Sequence, residues 1–262
     1  DSTGTLGART LGARTLGART LGVRTLGART LGARMRVFEP LPGAAIIARA
    51  RLAALLGPAA GLSVTETDIL ADPRRLDDAP ILVCLGNPPY NRQWLPQRSA
   101  VARKGGWVRF GSGAQALPIL GDFFDPQTSA GRHAKNLYND YVYFWRWAMW
   151  AVFEQRAGPG IVSFVTASSY LRGPGFAGMR RHLRRELDEL WIVDLEGDRL
   201  AARRTANVFP IRTPVAIAMG VRYASSRPTL PATVHYVRLV GSQPAKLAAL
   251  EAVNRLSDLP WQ

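Results

Sequence analysis

The sequence predicts an α/β fold, in which a mostly parallel sheet is flanked by helices. Short apolar runs alternate with segments in which apolar residues recur at helical spacing. Two early apolar runs each end in an acidic residue, and a third ends in an amide, two prolines and an aromatic ring. With 262 residues, the chain is long enough to bury the core of one large domain.

The charge of the chain favours a polyanionic partner. The formal net charge is +15, from 34 Lys and Arg against 19 Asp and Glu. Six of these arginines lie in an N-terminal repeat, which leaves a net charge of +9 on the rest of the chain. The simplest polyanionic partner is nucleic acid, although an arginine-rich genome also produces such an excess.

The cysteine and histidine residues and the hydropathy of the chain bear on disulfides, metal sites and membrane segments. A single cysteine, Cys84, excludes an internal disulfide framework and a zinc cluster built on cysteine. His133, His182 and His235 have no metal-ligand spacing, so no metal is expected. No apolar run approaches the roughly 20 residues that span a bilayer, and no secretory h-region is found. The expected compartment is therefore the cytoplasm.

Residues 5–34 are six copies of the pentapeptide Thr-Leu-Gly-Ala-Arg, with Val23 replacing Ala in the fourth copy. A period of five matches neither a helix nor a strand, and a glycine in every copy weakens both. We predict that the segment 1–34 is disordered or weakly structured. It is either a basic arm that touches phosphates or a translated DNA repeat without a selected role.

Two βα units follow the repeat. Residues 36–40 are predicted to form a strand ending in Glu39, residues 43–56 a helix, and residues 62–68 a second strand ending in Asp68. An acid at the carboxyl tip of such a strand often binds a ribose hydroxyl or an adenine amino group. The alternative for each acid is a helix N-cap or a solvated loop position.

The third strand, Ile81–Leu85, is aliphatic and is predicted to be central and covered on both faces. Pro88 and Pro89 remove two backbone donors, so the strand must end there. The Asn87 side chain and the Pro88 carbonyl are expected to point outward with no local donor. Together they can accept hydrogen bonds from an amino group, and Tyr90 offers a ring for stacking.

The remaining chain contains a long connection and further elements. Between residues 91 and 135, basic and aromatic side chains suit either a loop that follows a phosphate backbone or an insertion whose aromatics dock on the body; these are Arg92, Trp94, Arg98, Arg103, Lys104, Trp107, Arg109, Phe110 and Arg132. Helices are predicted at 136–155 and 176–187, and strands at 160–166, 190–195 and 215–219.

Asn-Pro-Pro-Tyr after an apolar strand resembles the catalytic motif of S-adenosylmethionine-dependent methyltransferases that act on amino groups. Such enzymes act on adenine in DNA, on glutamine in release factors or on guanine in RNA. Roughly from Met35 to Leu250, the order of segments resembles the methyltransferase region of single-polypeptide, helicase-containing, type I-like restriction-modification enzymes. The segments are Gly160–Leu171, Phe176–Arg180, Asp194–Asp198, Asn207–Phe209 and Val215–Ile217.

This resemblance implies a Rossmann-like methyltransferase sheet flanked by helices, with S-adenosyl-L-methionine as cofactor. Glu39 is expected to hold the ribose of the cofactor, Asp68 to lie near its adenine, and Asn87 to contact both cofactor and substrate. The residues expected to be catalytic are Asn87, Pro88, Pro89 and Tyr90. The family's glycine-rich cofactor turn is not found in the sequence, so the sheet is expected to be incomplete at its N-terminus.

The expected reaction is methyl transfer to the exocyclic amino group of adenine in double-stranded DNA, with the base flipped out of the helix. Residues 35–224 are expected to form the partial catalytic domain, and residues 225–262 an extension toward a target-recognition domain. Helicase, nuclease and target-recognition regions are expected in the full-length enzyme. The alternatives are a catalytically dead nucleic-acid-binding fragment and a protein-glutamine or RNA amino methyltransferase.

Overall fold

The computed structural model describes residues 34–57, 61–71, 81–90, 105–112, 117–124, 133–155, 157–198, 205–224 and 226–262. The chain divides into two compact units, Asp1–Asp68 and Ile69–Gln262, which are described separately below. The pentapeptide repeat before Arg34 lies outside the described residues. So do the basic and aromatic residues Arg92, Trp94, Arg98, Arg103, Lys104 and Arg132.

In the first unit, a helix connects two parallel strands, in the predicted order. Strand β1 is Arg34–Phe38, helix α1 is Pro42–Leu56 and strand β2 is Gly61–Thr65. Helix α1 has a proline in its first turn, where a missing N–H costs nothing. Strand β2 ends earlier than the predicted range 62–68, because Asp68 lies in the loop beyond it.

The second unit contains the remaining elements. The strands are β3 (Val83–Gly86), β4 (Gly160–Ala167), β5 (Glu189–Asp194), β6 (Val215–Arg222) and β7 (Thr233–Arg238). The helices are α2 (Gly106–Phe110), α3 (Asp140–Met149, continued by a π turn, Trp150–Glu154), α4 (Ala177–Glu186) and α5 (Gln243–Glu251). Four predicted elements, at 160–166, 176–187, 190–195 and 215–219, therefore lie close to their expected positions.

The five strands form a mixed sheet in the order β3-β4-β6-β5-β7. Strand β3 is parallel to β4, and β5 is parallel to β7, whereas β6 runs antiparallel to both β4 and β5. The carboxyl ends of β3, β4, β5 and β7 therefore lie at one edge of the sheet, which is also where β6 begins. The predicted α/β class is confirmed: a Rossmann-like sheet flanked by helices. Residues 226–262 contribute β7 to this sheet, and the division predicted at residues 224 and 225 stays a prediction.

The prediction that the strand at Ile81–Leu85 is central and covered on both faces is wrong for the described sheet. Strand β3 lies at the sheet edge, and Val83 and Leu85 are 52% and 71% exposed. An aliphatic run reports the tendency to be buried, whereas burial itself depends on partners that are distant in sequence. Cys84 is half-buried, and burial raises the pKa of its thiol to about 12.

The core of the second unit lies between the sheet and α3. The apolar residues at helical spacing in the predicted helix 136–155 are Tyr141, Phe144, Trp145, Ala148 and Val152, and all are buried except Phe144, which is half-buried. The Trp145 ring meets Phe164 of β4 edge to face, at 5.1 Å between centroids. This apolar stripe is therefore core packing, as predicted.

Helix α2 shows what two of the aromatic and basic residues of the long connection do. Trp107 is buried and packs edge to face against Trp150 of the π turn, with centroids 4.8 Å apart. The Arg109 guanidinium lies 3.9 Å from the centroid of the Tyr138 ring. The contacts of these two side chains fit the second of the two predicted alternatives, in which the aromatics of this connection dock on the protein body.

An ion network around the buried Arg146 joins α3 to its neighbours. Arg146 is buried and donates hydrogen bonds to Asp122 and to both carboxylate oxygens of Glu154. His182 of α4 lies 3.5 Å from Glu154. Burial alone would raise the pKa of the Glu154 carboxyl, but the hydrogen bonds and charges of His182 and Arg146 outweigh it and hold the pKa at about 2.

Within the part of the chain that the structure describes, no helix is both long and apolar enough to cross a membrane. The same residues contain no group of three or more His, Cys, Asp or Glu arranged to hold a metal ion.

Candidate functional site

The candidate site begins where β3 ends. Gly86 is the last residue of the strand, and a Cβ atom there would lie 2.9 Å from the Phe164 ring, so only glycine fits. Asn87 is exposed, Pro88 is buried and Tyr90 is half-buried. The two consecutive prolines end the ladder as predicted, since neither has an N–H to donate. The corner thus presents a polar side chain at the carboxyl end of a parallel strand.

Asn87 does have a local donor, which corrects one expectation from the sequence. The Tyr90 hydroxyl lies 2.5 Å from Asn87 Oδ1 and 3.1 Å from the carbonyl oxygen of Val165 on β4. Burial raises the pKa of the Tyr90 phenol, so the hydroxyl keeps its proton and acts as the donor. The single O–H proton can be given to Asn87 Oδ1, which is nearer, or shared with the Val165 carbonyl on β4, so the hydroxyl places the corner beside the neighbouring strand.

The Tyr90 ring is held from the other side by packing. It lies against an apolar cluster at the carboxyl edge of the sheet, formed by Val193, Leu195, Val208, Val215 and Val237. Phe209 and Ile211 pack against the same cluster. With its hydroxyl bonded and its ring packed, Tyr90 has little rotamer freedom left to lose when a ligand binds.

Asn207 ties together the two ends of the connection between β5 and β6. Its Nδ2 donates to the carbonyl oxygens of Gly197 at 3.1 Å and Thr213 at 2.7 Å. Its Oδ1 accepts the backbone N–H of Phe209 at 2.9 Å. Gly197 has φ of +94°, and a Cβ there would lie 2.5 Å from the Asn207 amide, so the close approach requires glycine.

Lys246 of α5 forms hydrogen bonds to the same connection. It is 1% exposed, and its Nζ donates to the carbonyl oxygens of Leu195 at 2.6 Å and Ala206 at 2.7 Å. Burial lowers the pKa of its ammonium group, while the charges of Glu196 and Asp194 act in the opposite direction. The buried cation therefore compensates its desolvation through two carbonyl acceptors and two nearby carboxylates.

A second polar group lies at the carboxyl ends of β5 and β7. Asp194, the last residue of β5, is 4% exposed. Its Oδ1 accepts the backbone N–H of Glu196 at 2.9 Å, and its Oδ2 accepts the Tyr236 hydroxyl at 2.7 Å. Arg172 and Arg238 both donate to that hydroxyl oxygen. We call these residues the Asp194 cluster.

The Asp194 cluster was not predicted from the sequence as a site, although the signal was present. Asp194 is an acid at the end of an apolar strand, the same pattern that selected Glu39 and Asp68. The sequence does not reveal that Tyr236 and Arg238 lie opposite it, because the parallel pairing of β5 with β7 is a long-range contact.

Glu39 and Asp68 both belong to the first unit, at the carboxyl edge of the β1–β2 sheet. Glu39 is half-buried, and its Oε1 accepts the backbone N–H of Leu41 at 2.9 Å, at the start of α1. Asp68 is exposed in the loop after β2. The N-cap of α1 is Leu41, so Glu39 is not the N-cap residue, and it remains a carboxylate at the strand end. Asn87 and Tyr90 lie in the second unit.

Comparison with solved structures identifies chains of similar fold. The nuclease-deletion mutant of the Type ISP restriction-modification enzyme LlaGI, in complex with a DNA substrate mimic, matches with a TM-score of 0.65 over 86% of this chain, at 21% identity. This chain has the fold of a segment of that enzyme class. The resemblance found in the sequence is therefore confirmed at the level of fold.

Two further structures agree. The ATP-dependent Type ISP restriction-modification enzyme LlaBIII bound to DNA matches with a TM-score of 0.51 over 72% of this chain, at 21% identity. The DrdV-DNA complex matches with a TM-score of 0.53 over 70%, at 25% identity. This chain spans 20% of the LlaGI chain, 13% of the LlaBIII chain and 17% of the DrdV chain. No protein-family model and no curated protein matches the sequence.

Proposed function

We propose that this chain carries the methyl-transfer site of a restriction-modification enzyme, which methylates the exocyclic amino group of adenine in DNA with S-adenosyl-L-methionine as cofactor. The observation that carries the proposal is the corner after β3. There the exposed Asn87 amide follows a parallel strand, and the Tyr90 hydroxyl bonds to its oxygen. Ligands bind at this edge in open α/β sheets.

The chemistry of the acceptor explains why such a corner is needed. The adenine amino nitrogen is a poor nucleophile, because its lone pair is delocalised into the ring. Hydrogen bonds from its two N–H groups to Asn87 Oδ1 and to the Pro88 carbonyl favour a pyramidal nitrogen and free the lone pair. The Asn87 oxygen has two lone pairs, so it can accept the amino group while it keeps the Tyr90 hydroxyl.

Tyr90 supplies the second part of the site. A stacked base is out of reach, and flipping it costs a few kcal/mol. Stacking on an aromatic ring returns roughly 1–3 kcal/mol per base. Because the Tyr90 ring is already held by its hydroxyl hydrogen bond and by the apolar cluster, this energy is not spent on ordering the ring. Positioning and electrostatics account for most of the expected catalytic benefit.

The residues of the first unit fit the adenosine half of the cofactor. Glu39 and Asp68 follow two adjacent parallel strands, and carboxylates at such strand ends accept hydrogen bonds from ribose hydroxyls and adenine amino groups. We assign Glu39 to the ribose and Asp68 to the adenine. When bound, S-adenosylmethionine supplies an electrophilic methyl group on a sulfonium.

DNA is the proposed partner for two reasons. The chain has a formal net charge of +15, which favours a polyanion. In addition, the LlaGI and LlaBIII structures are complexes of restriction-modification enzymes with a DNA substrate mimic and with DNA, and DrdV was also solved with DNA.

The test measures N6-methyladenine in unmethylated genomic DNA after incubation with the chain and cofactor, by mass spectrometry of the digested nucleosides. Genomic DNA offers every target sequence, so the recognition site need not be known. Asn87→Ala is expected to abolish the product while binding of the cofactor, measured by calorimetry, stays largely intact. Asn254→Ala, at an exposed asparagine in the C-terminal segment, is the matched control and keeps full activity.

Retained activity in Asn87→Ala would remove that residue from the catalytic role. Methylation of RNA or of release-factor glutamine in place of DNA would show that the acceptor class is wrong. Absence of cofactor binding by the unmodified chain would support a catalytically inactive, nucleic-acid-binding fragment.

A further inference from the structure

The Asp194 cluster brings two arginines together at the same sheet edge as Asn87. Arg172 follows the 3-10 turn Ser168–Leu171 after β4, and Arg238 is the last residue of β7. Arg172 Nη2 lies 2.9 Å from the Tyr236 hydroxyl oxygen, and Arg238 Nε lies 3.2 Å from the same atom. Two like charges are therefore held near each other, and both lie within 4 Å of the Asp194 carboxylate.

Each guanidinium is anchored by a single nitrogen. The described contacts of Arg172 use Nη2 alone, which also lies 3.4 Å from Asp194 Oδ2. The described contacts of the Arg238 nitrogens use Nε alone, which lies 3.9 Å from Asp194 and 4.0 Å from Glu196. A guanidinium has five N–H donors in a planar fork, so most donors of both groups are left for another acceptor.

Exposure decides which charge a ligand meets. The side chains of Arg172 and Arg238 are 67% and 39% exposed. Those of Asp194 and Glu196 are only 6% and 13% exposed. The carboxylates therefore lie underneath and hold the arginines in place, while the outer face of the cluster consists of guanidinium groups.

We infer that Arg172 and Arg238 form a clamp for a backbone phosphate of the DNA substrate. This inference rests on the proposed function, because it takes DNA as the substrate. Guanidinium forks match the oxygen pairs of a phosphate, and arginine is the preferred residue where such bidentate contact is made. The two anchoring nitrogens are about 6 Å apart at most, because both contact one oxygen atom. A single phosphate group can reach both forks.

The position of the clamp fits a duplex that also reaches the Asn87 corner. Strands β3 and β7 are the two outermost strands of the described sheet, four strand spacings apart. At about 4.8 Å per spacing, this distance is roughly 19 Å. It corresponds to the rise of about five or six base pairs at 3.4 Å each. A short duplex that lies across the carboxyl ends of the strands therefore covers both the clamp and the Asn87 corner.

The test is the salt dependence of DNA binding by the full chain, without cofactor, followed by fluorescence anisotropy of a labelled duplex of about 20 base pairs. Losing one phosphate contact lowers the slope of log K against log salt by about 0.9. We expect this loss for the double variant Arg172→Ala, Arg238→Ala, with equal weakening for unrelated DNA sequences. Tyr236→Phe keeps both charges but removes the anchoring oxygen, so its slope is retained and its affinity falls.

The matched control is Arg184→Ala. Arg184 is exposed in the last turn of α4, ahead of the amino end of β5 and thus at the opposite sheet edge. Its slope is expected to equal that of the unmodified chain. Thermal melts of all variants establish that they fold.

An unchanged slope in the double variant, an equal loss in Arg184→Ala, or no salt-dependent binding by the unmodified chain would each overturn the clamp. The outcome is separate from the methylation assay. A chain that makes N6-methyladenine while the double variant keeps its slope has the proposed function without the clamp. A clamp detected in a chain that methylates nothing is a nucleic-acid contact only.

Discussion

Substitutions at Tyr90 separate the two roles that we propose for this residue, hydrogen bonding through its hydroxyl and stacking through its ring. Tyr90→Phe removes the single O–H donor that lies within reach of Asn87 Oδ1 and the Val165 carbonyl, but keeps the ring. Loss of a neutral hydrogen bond at a half-buried position costs about 0.5–1.5 kcal/mol. If the whole cost falls on the transition state, methyl transfer slows by about tenfold at most.

Tyr90→Ala also removes the stacking face. The additional loss is roughly 1–3 kcal/mol, which corresponds to a further slowing of about 5- to 150-fold. Tyr90→Trp keeps a ring and is expected to behave more like Tyr90→Phe. The decisive quantity is therefore the ratio of the alanine and phenylalanine rates.

These rates are measured as N6-methyladenine formed per unit time in duplex DNA, with saturating cofactor. Single-stranded DNA provides an internal comparison, because its bases need no extrusion from a duplex and the penalty of Tyr90→Ala is expected to shrink there. Equal losses in the phenylalanine, tryptophan and alanine variants would contradict stacking. Thermal melts of each variant are needed, since the ring also packs against the apolar cluster.

Three other predictions test Glu39 as a cofactor-binding residue, the hydrogen bonds of Lys246 to the connection between β5 and β6, and the ion network around Arg146. Glu39→Gln keeps an oxygen for the Leu41 N–H, so its melting temperature is expected to be unchanged. Cofactor binding, measured by calorimetry, is expected to be at least about tenfold weaker, because a charged hydrogen bond is lost. An unchanged Kd would remove Glu39 from the site. Lys246→Met leaves two carbonyls without their donor and is expected to lower stability by about 2 kcal/mol, or roughly 4–8 °C in Tm, and an unchanged Tm would contradict a stabilising role of these hydrogen bonds. Glu154 has a pKa of about 2 against an ordinary 4.5, so its stabilisation of about 3 kcal/mol is present above pH 4.5 and is lost as the pH falls toward 2. Urea unfolding of Glu154→Gln should therefore show a flatter pH dependence than the unmodified chain between about pH 5 and 2, and parallel curves would refute it.

Local chemistry made several features predictable. Proline acts on its own residue and its neighbour, so the end of β3 was predicted at the correct position from Pro88 and Pro89 alone. Helical periodicity placed α1 and α4 within a residue or two, because their spacing of apolar residues is a local signal. The acidic residues that follow the apolar strands, Glu39 and Asp68, could also be recognised from the sequence pattern.

Long-range pairing was not predictable in the same way. Strand β6 lies antiparallel between β4 and β5. The residues of β6 do not indicate which strands it pairs with, so this position could not be predicted. The edge position of β3 and the meeting of Asp194 with Tyr236 have the same origin. The hydroxyl bond from Tyr90 to Asn87 is short-range in sequence, but it depends on a turn geometry that the residue types alone do not fix.

The hairpin of β5 and β6 determines where the sheet can tolerate inserted residues. Its two strands pair from Asp194 with Ala216 to Glu189 with Val221, and the connection between them leaves and re-enters the sheet at one edge. Its two ends are fixed by Asn207 and Lys246. Residues inserted between these fixed points add bulk to that edge alone and leave the strand register intact. This connection is thus a position where the chain can be lengthened without rebuilding the core of the sheet.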